Sequence, residues 1–262
     1  MNNLVSVVIR NKNESKALEF LLKNLTERYA ADVAEIIVLD NLSTDNSQQI
    51  AEKYHARFIT IEHFSYGGSA NMAATTATNS IVVIFSAHAY PISHDFFRVI
   101  INKFIENPTL AGVRCLNIPN DYRNYINKVS ANEDPNQSGL IFAGSAFNKD
   151  VWETHKFKDD IRTFEDKEWS KRVLKNGYKI EFAPAIFSYE IKRTRRQAYF
   201  RFKNEIVGGY QLWHTKFTFA IAIKSFCKMF YVYTSNFIQD IFYLFRRLFF
   251  MMRFLMNKPK QF

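Results

Sequence analysis

The 262-residue sequence predicts an α/β fold, a mostly parallel sheet flanked by helices, followed by a helical, amphipathic extension at the C-terminus. Three features carry that expectation. Apolar runs of strand length alternate four times with helical stretches before residue 86, the rhythm of right-handed strand–helix–strand crossovers. The connections between these runs are short and polar. Charge is also segregated: from Tyr189 onward 14 Lys and Arg face 3 acids, while the residues before it hold 21 bases and 22 acids.

Leu4 to Ile9 is the first buried-strand candidate, and Ser15 can cap a helix to about Arg28 whose apolar stripe is Leu18, Leu21, Leu22 and Leu25. Glu35 to Leu39 forms a second strand, ending in Asp40. The polar turn Asn41 to Asp45 opens a helix through about Tyr54. Arg57 to Ile61 is a third strand. A glycine-bearing loop, His63 to Ser69, leads to a helix over Ala70 to Ala77. Ile81 to Phe85 is a β-branched run suited to a strand buried on both faces. It stops at Ser86-Ala87-His88, and Pro91 prevents regular continuation.

Beyond Pro91 a helix is expected near His94 to Ile105 and a strand at Leu110 to Leu116. A long polar loop spans Asn117 to Gly139, with Tyr122 and Tyr125 in it. A short strand at Leu140 to Ala143 and a short helix at Lys149 to Thr154 follow. Thr163 can cap a helix to Asn176, which Gly177 stops. Tyr178 to Phe182 is the last strand of a domain expected to span residues 1–190. Neither G-x-G-x-x-G nor G-x-x-x-x-G-K-[ST] occurs, so a dinucleotide fingerprint and a P-loop are absent. Two distant cysteines, Cys115 and Cys227, fit a reducing compartment, and the N-terminus shows no charged-then-apolar signal, so the cytoplasm is expected.

Ligands of open α/β sheets gather beyond the carboxyl ends of the strands. Glu14, Asp40, His88 and Asp166 all fall at such ends or in adjacent turns. Each has a plainer reading: a solvated loop acid, a turn former, a polar residue at a strand end, and, for Glu165 and Asp166, complements to a helix dipole. Four segments in order nevertheless resemble the family 2 glycosyltransferases of GT-A fold. V-S-V-V-I-R-N-K-N-E (Val5 to Glu14) is similar to the family's opening strand and loop. E-I-I-V-L-D-N-L-S-T-D (Glu35 to Asp45) is similar to its Asp-x-x-Ser-Thr-Asp turn. Y-G-G-S-A-N-M-A-A (Tyr66 to Ala74) resembles its small-residue helix with Asn. F-E-D-K-E-W-S-K-R-V-L-K-N-G-Y-K-I (Phe164 to Ile180) resembles its Glu-Asp segment.

The resemblance implies an inverting enzyme that takes a sugar from a nucleotide-sugar donor. Asp166 would be the catalytic base. Glu14 and Asp40 would contact the nucleoside, Asn71 would help hold the donor, and Arg10, Asn41, Ser86 and Ala87 would line its site. Where the family usually carries Asp-x-Asp for a divalent cation, Ser86-Ala87-His88 stands. His88 is then the expected metal ligand, to Mn²⁺ more readily than to Mg²⁺, or else His88 or an Arg meets the diphosphate charge. Glu190 stands near where many relatives carry a His, as an oxygen ligand or unrelated to the site.

The extension, residues 191–262, opens with Arg193, Arg195, Arg196, Arg201 and Lys203, with Tyr199 and Phe200 interleaved. Of the 39 residues from Phe217 to Leu255, 13 are Phe or Tyr, and charges interrupt every apolar run before it reaches membrane-spanning length. Gln239, Asp240, Arg246, Arg247 and Arg253 share one helical arc. That profile suits a helix lying on an anionic membrane surface; the same aromatics suit a homo-oligomer or partner interface. A nucleic acid is not expected, since phosphate contacts leave a long apolar face unused. The reading is a peripheral glycosyltransferase on the inner face of the cell membrane, acting on a lipid-linked acceptor in surface polysaccharide synthesis of capsule or O-antigen type. The alternatives are a silent glycosyltransferase-like scaffold and a sugar nucleotidyltransferase.

Overall fold

The computed structural model describes residues 4–191 and 193–261. In chain order, β1 (Val5–Asn11), α1 (Ser15–Arg28), β2 (Val33–Asp40), α2 (Ser47–Lys53), β3 (Arg57–Thr60), α3 (Tyr66–Thr76) and β4 (Ile81–Ser86) realise the expected alternation. There follow β5 (Ala89–Pro91), α4 (Phe96–Glu106), β6 (Leu110–Leu116), α5 (Pro119–Ile126), α6 (Pro135–Ser138), β7 (Ser145–Asn148), α7 (Lys149–Thr154), α8 (Glu165–Lys175) and β8 (Lys179–Tyr189). Helices α9 (Arg195–Trp213) and α10 (Phe219–Met256) come last.

The strands form one sheet in the order β3-β2-β1-β4-β7-β6-β8-β5. β1, β2, β3 and β4 pair in parallel, as do β6 and β8, whereas β7 runs antiparallel to both β4 and β6. Alternation along β1 splits the core between the two faces of the sheet. Val5, Val7 and Ile9 pack with Leu18, Leu21, Leu22 and Leu25 of α1 and with Phe96, Phe97 and Ile100 of α4. Val8 packs instead with Ala70, Ala73 and Ala74 of α3 and with Trp169 and Val173 of α8. The run Val82 to Phe85 is wholly buried, the double-sided burial its lack of alternation implied.

Several expectations are corrected. Ser15 does not cap α1; Glu14 is the N-cap, and Asp45 Oδ2 accepts from the Ser15 backbone N–H at 2.9 Å. The loop at His63 to Ser69 is already helical from Tyr66, capped by Ser65, whose hydroxyl accepts from the Gly68 N–H. The glycine there serves close approach, since a Cβ on Gly67 would meet the Lys158 carbonyl oxygen at 2.0 Å. The polar stretch after Asn117 is not a loop but carries α5 and α6, held by a buried Arg114–Asp121 ion pair at 2.6 Å. Leu140 to Ala143 is no strand; β7 begins at Ser145. Thr163 does not cap α8. That place is taken by Phe164, in the left-handed region at φ 69°. β5 was not foreseen, because Pro91 argues against a strand; it pairs only with β8, at the sheet edge where a missing N–H is tolerated.

The chain divides into two compact units, Met1–Trp213 and His214–Phe262. Helix α9, expected in the extension beyond residue 190, therefore belongs to the first unit. A Cβ on Gly208 would lie 2.7 Å from the Thr163 side chain, so glycine lets α9 press against the turn before α8. The Trp213 ring lies tilted 4.7 Å from that of Phe164, and its Nε1 donates to Asn136 Oδ1 at 2.7 Å. In the second unit, α10 is a 38-residue helix with no buried residue. No helix among the described residues is long and apolar enough to cross a membrane.

Candidate active site

Parallel pairing sets the carboxyl ends of β1, β2 and β4 side by side: Arg10 lies opposite Leu39 and Ser86, and Asn11 opposite Asp40. Asn11 Nδ2 donates to Asp40 Oδ1 at 2.7 Å, Ser43 Oγ donates to the same oxygen at 2.6 Å, and the Ser43 N–H donates to Asp40 Oδ2 at 2.7 Å. The Asp40 carboxylate is thus buried and mostly consumed by its own turn, a turn that carries half-buried Asn41. Glu14 stands beside this turn with an exposed carboxyl. Desolvation pushes that carboxyl above its usual range, and the neighbouring Asp45 charge adds to the rise.

On the other side of Arg10 the first turn of α8 approaches. The Arg10 guanidinium donates to Glu165 Oε1 at 2.9 Å and to the Tyr66 carbonyl at 2.9 Å, and it lies over the Phe142 ring at 5.5 Å. Burial pushes the Glu165 carboxyl up, Arg10 pulls it down, and the adjacent Asp166 charge raises it again. The Asp166 carboxylate is oriented by two backbone donors, Phe142 N–H on Oδ2 at 3.1 Å and Lys167 N–H on Oδ1 at 2.8 Å.

The Gly139–Phe142 segment beneath it is strapped to α8 at three points. Lys167 Nζ donates to the Gly139 carbonyl at 3.0 Å, the Leu140 N–H donates to Ser170 Oγ at 2.9 Å, and Phe142 reaches Asp166. Arg114 also donates to the Gly139 carbonyl, at 2.6 Å. Desolvation, helped by Arg114, lowers the Lys167 ammonium pKa to about 8.

His88 follows β4. Its carbonyl accepts from the Glu190 N–H at 3.1 Å, its ring lies 5.1 Å from that of Tyr189, and its Nε2 is buried without a partner among the described residues. Desolvation lowers its pKa and the Arg193 cation lowers it further. Ser86 is half-buried and Ala87 buried, the latter donating its N–H to the Arg10 carbonyl at 3.0 Å. The Tyr66 phenol is pushed up by desolvation and by Glu165, with smaller effects from Arg10, Tyr189 and Arg201. Glu190 accepts from the Tyr90 hydroxyl at 2.9 Å.

The structure therefore brings Arg10, Ser86, Ala87 and the Glu165–Asp166 turn together, with Glu14, Asp40 and Asn41 across Asn11 from them. Asn71 is set apart. Its Nδ2 donates to the Phe157 carbonyl and to Asp159, and its Oδ1 accepts from Trp152 Nε1 and the Phe157 N–H. With two donors and two acceptors all engaged, Asn71 braces α3 against residues 152–159 and has nothing left to offer a donor. Sequence reasoning missed Tyr66, Phe142 and Lys167 as parts of the site, and Arg10 as the partner of Glu165. Lys167 alone left a signal, a cation beside the Glu-Asp pair.

The fold agrees with comparison to known proteins. Residues 6–164 match the model of Glycosyl transferase family 2. The chain belongs to that family. The reading as a family 2 glycosyltransferase therefore stands, and the sheet matches solved relatives. The chain superposes on a mannosyltransferase from Pyrobaculum calidifontis, solved with GDP-Man and Mn²⁺, with a TM-score of 0.64 and 20% identity over 82% of this chain. It spans 65% of that longer chain. Glucosyl-3-phosphoglycerate synthase from Mycobacterium tuberculosis, solved with Mn²⁺, UDP and glucosyl-3-phosphoglycerate, gives a TM-score of 0.56 at 15% identity, covering 79% of this chain and 77% of that one. A curated relative from Methanococcus voltae, a dolichyl N-acetyl-alpha-D-glucosaminyl phosphate 3-beta-D-2,3-diacetamido-2,3-dideoxy-beta-D-glucuronosyltransferase, is 26% identical over 228 residues, 73% of this chain and 68% of the relative.

The residues around His88 do not fit the divalent cation that the resemblance implies. His88 offers one imidazole nitrogen, and no group of three His, Cys, Asp or Glu among the described residues comes together to hold a metal. Hard cations prefer several oxygen donors. The charge bearing on His88 is a guanidinium, which repels a cation.

Proposed function

We propose that this protein is an inverting glycosyltransferase that moves a sugar from a nucleotide-sugar donor to a hydroxyl of a lipid-linked glycan in surface polysaccharide synthesis. The single observation that carries the reading is the Asp166 carboxylate, oriented by two backbone donors beside the Arg10–Glu165 pair at the carboxyl ends of β1 and β4. In this reading Asp166 accepts the proton of the acceptor hydroxyl. The acceptor oxygen forms its bond to the anomeric carbon while the bond from that carbon to the diphosphate breaks. The electron pair leaves with the nucleoside diphosphate, and a single displacement inverts the centre. A diphosphate is already a good leaving group, so one base suffices.

Glu14 is read as the acceptor of hydrogen bonds from the nucleoside. Asp40 and Asn11 hold the turn that presents Asn41. Arg10, Ser86 and Ala87 form the floor of the donor site, and Asn71 keeps α3 in place behind it. The lipid-linked acceptor is supported by the Methanococcus voltae relative, whose name carries a dolichyl sugar phosphate. Helix α10, exposed along its length with Arg246, Arg247 and Arg253 on one arc, is read as lying on the anionic inner face of the cell membrane. The domains proposed are the catalytic unit through α9 and the α10 extension.

The test is Asp166→Asn against wild type, with nucleotide-sugar donors and a membrane extract as acceptor source. Transfer should fall by about 10²–10⁴-fold, and the donor should still bind within a few-fold. Transfer within a few-fold of wild type removes Asp166 as the base. Absence of transfer and of donor binding in both proteins favours a scaffold.

A further inference from the structure

We propose that His88 and Arg193 together meet the charge of the donor diphosphate, so that the nucleotide binds without a divalent cation. The inference rests on the donor-site reading above and replaces the metal that reading would otherwise need.

Three observations carry it. The first is position. His88 follows the carboxyl end of β4, the strand beside β1, and Ala87 before it is pinned to the Arg10 carbonyl. Phosphates of a donor seated over these strand ends come to this turn.

The second is an unsatisfied group. His88 Nε2 is buried with no protein partner among the described residues, an arrangement that is costly unless a ligand supplies the bond. Tyr189 packs against the ring and the Glu190 N–H holds the His88 carbonyl, so the imidazole is fixed before any ligand arrives. An imidazole N–H at Nε2 donates to a phosphate oxygen.

The third is the neighbouring cation. The Glu190 N–H bond to the His88 carbonyl holds the end of β8 beside His88, and Arg193, three residues on, is near enough for its charge to bear on the imidazole. Arg193 is exposed and has no ion pair among the described residues, whereas Arg201 on α9 is paired with Glu205. A guanidinium presents its N–H groups as a planar fork that fits a phosphate. The same charge disfavours Mn²⁺ or Mg²⁺ at His88. An imidazole donor and an arginine fork supply the positive field that a metal supplies elsewhere, and they do so without carboxylates.

The experiment is calorimetric titration of the full chain with UDP, GDP, CDP, ADP and dTDP and with the matching nucleosides, in EDTA and again in Mn²⁺. One diphosphate should bind in EDTA within about threefold of its affinity in Mn²⁺. Arg193→Gln should weaken that diphosphate about 10–100-fold, the value of a charge-assisted bond, and leave the nucleoside unchanged. Arg193→Lys should recover part of the loss. His88→Ala should act in the same sense; if that variant misfolds, the exposed Arg193 still decides the matter. Binding that appears only with Mn²⁺ overturns the inference and leaves the donor-site reading intact. Equal losses for nucleoside and diphosphate, or none, in Arg193→Gln also overturn it. If no nucleotide or nucleoside binds in either condition, the donor-site reading fails and takes this inference with it.

Discussion

The Arg10 guanidinium donates to the Glu165 carboxylate across 2.9 Å, with both side chains almost fully buried, joining the end of β1 to the first turn of α8, 155 positions later. This pair fixes where Asp166 stands relative to the strand ends. Phe164, just before it, adopts a left-handed backbone that a non-glycine residue holds only under packing, at about 1–2 kcal/mol. The Trp213 ring and the α9 backbone at Gly208 supply that packing.

Breaking the pair from one side should be costly. Arg10→Met leaves a buried carboxylate without its cation, which typically destabilises by about 3–5 kcal/mol. Replacing both, Arg10→Met with Glu165→Met, should recover much of the stability because neither charge is then stranded. Urea unfolding of the wild type and these two variants measures this; a loss under about 1 kcal/mol in Arg10→Met would show the pair to be solvated.

Lys167 gives a pH dependence with a definite sign. Burial, helped by Arg114, lowers its pKa from the usual 10.5 to about 8, against the pull of Asp166, Asp121 and Asp134. Between those two values the unfolded chain binds more protons at this site than the folded one. Stability contributed by Lys167 therefore rises with pH across that window, and below about pH 8 the full penalty of a buried ammonium applies. Comparison with Lys167→Met isolates the effect, since the tyrosines titrate in both proteins. The wild type should gain unfolding free energy relative to Lys167→Met from pH 7.5 to 10; parallel curves contradict the assignment.

The proposed membrane contact is tested by removing His214–Phe262, the whole second unit. The remaining chain should stay folded, bind nucleotide, and no longer sediment with vesicles containing phosphatidylglycerol. In the full chain, Arg246, Arg247 and Arg253 changed to Gln should weaken sedimentation as high salt does, each base being worth about 1 kcal/mol near an anionic surface. Phe245, Phe249 and Phe250 changed to Ser should do more damage, because apolar burial is not screened by salt. Unchanged sedimentation after truncation places the membrane contact elsewhere or removes it.

Local pattern was enough to determine the first half of the fold. Leu4 to Ile9, Glu35 to Leu39 and Ile81 to Phe85 are buried-strand sequences with short polar connections, and such segments have few ways to cover themselves other than a parallel sheet with helices. The order of the Glu14, Asp40 and Asp166 motifs was equally visible, because each lies within a few residues of its own strand or helix end. What tertiary structure alone decided is every relationship across long sequence distance. Nothing near Arg10 announces Glu165, nothing near Asn71 announces Trp152, and Gly208 reads as a helix defect until Phe164 is seen against it. Pro91 in a strand belongs to the same class, whereas Pro119 and Pro135 open their helices at the first position, where a missing N–H costs nothing. Propensity is worth tenths of a kcal/mol to about 3 kcal/mol per residue, and a sheet-edge position such as that of Pro91 removes its cost only once the chain has folded around it.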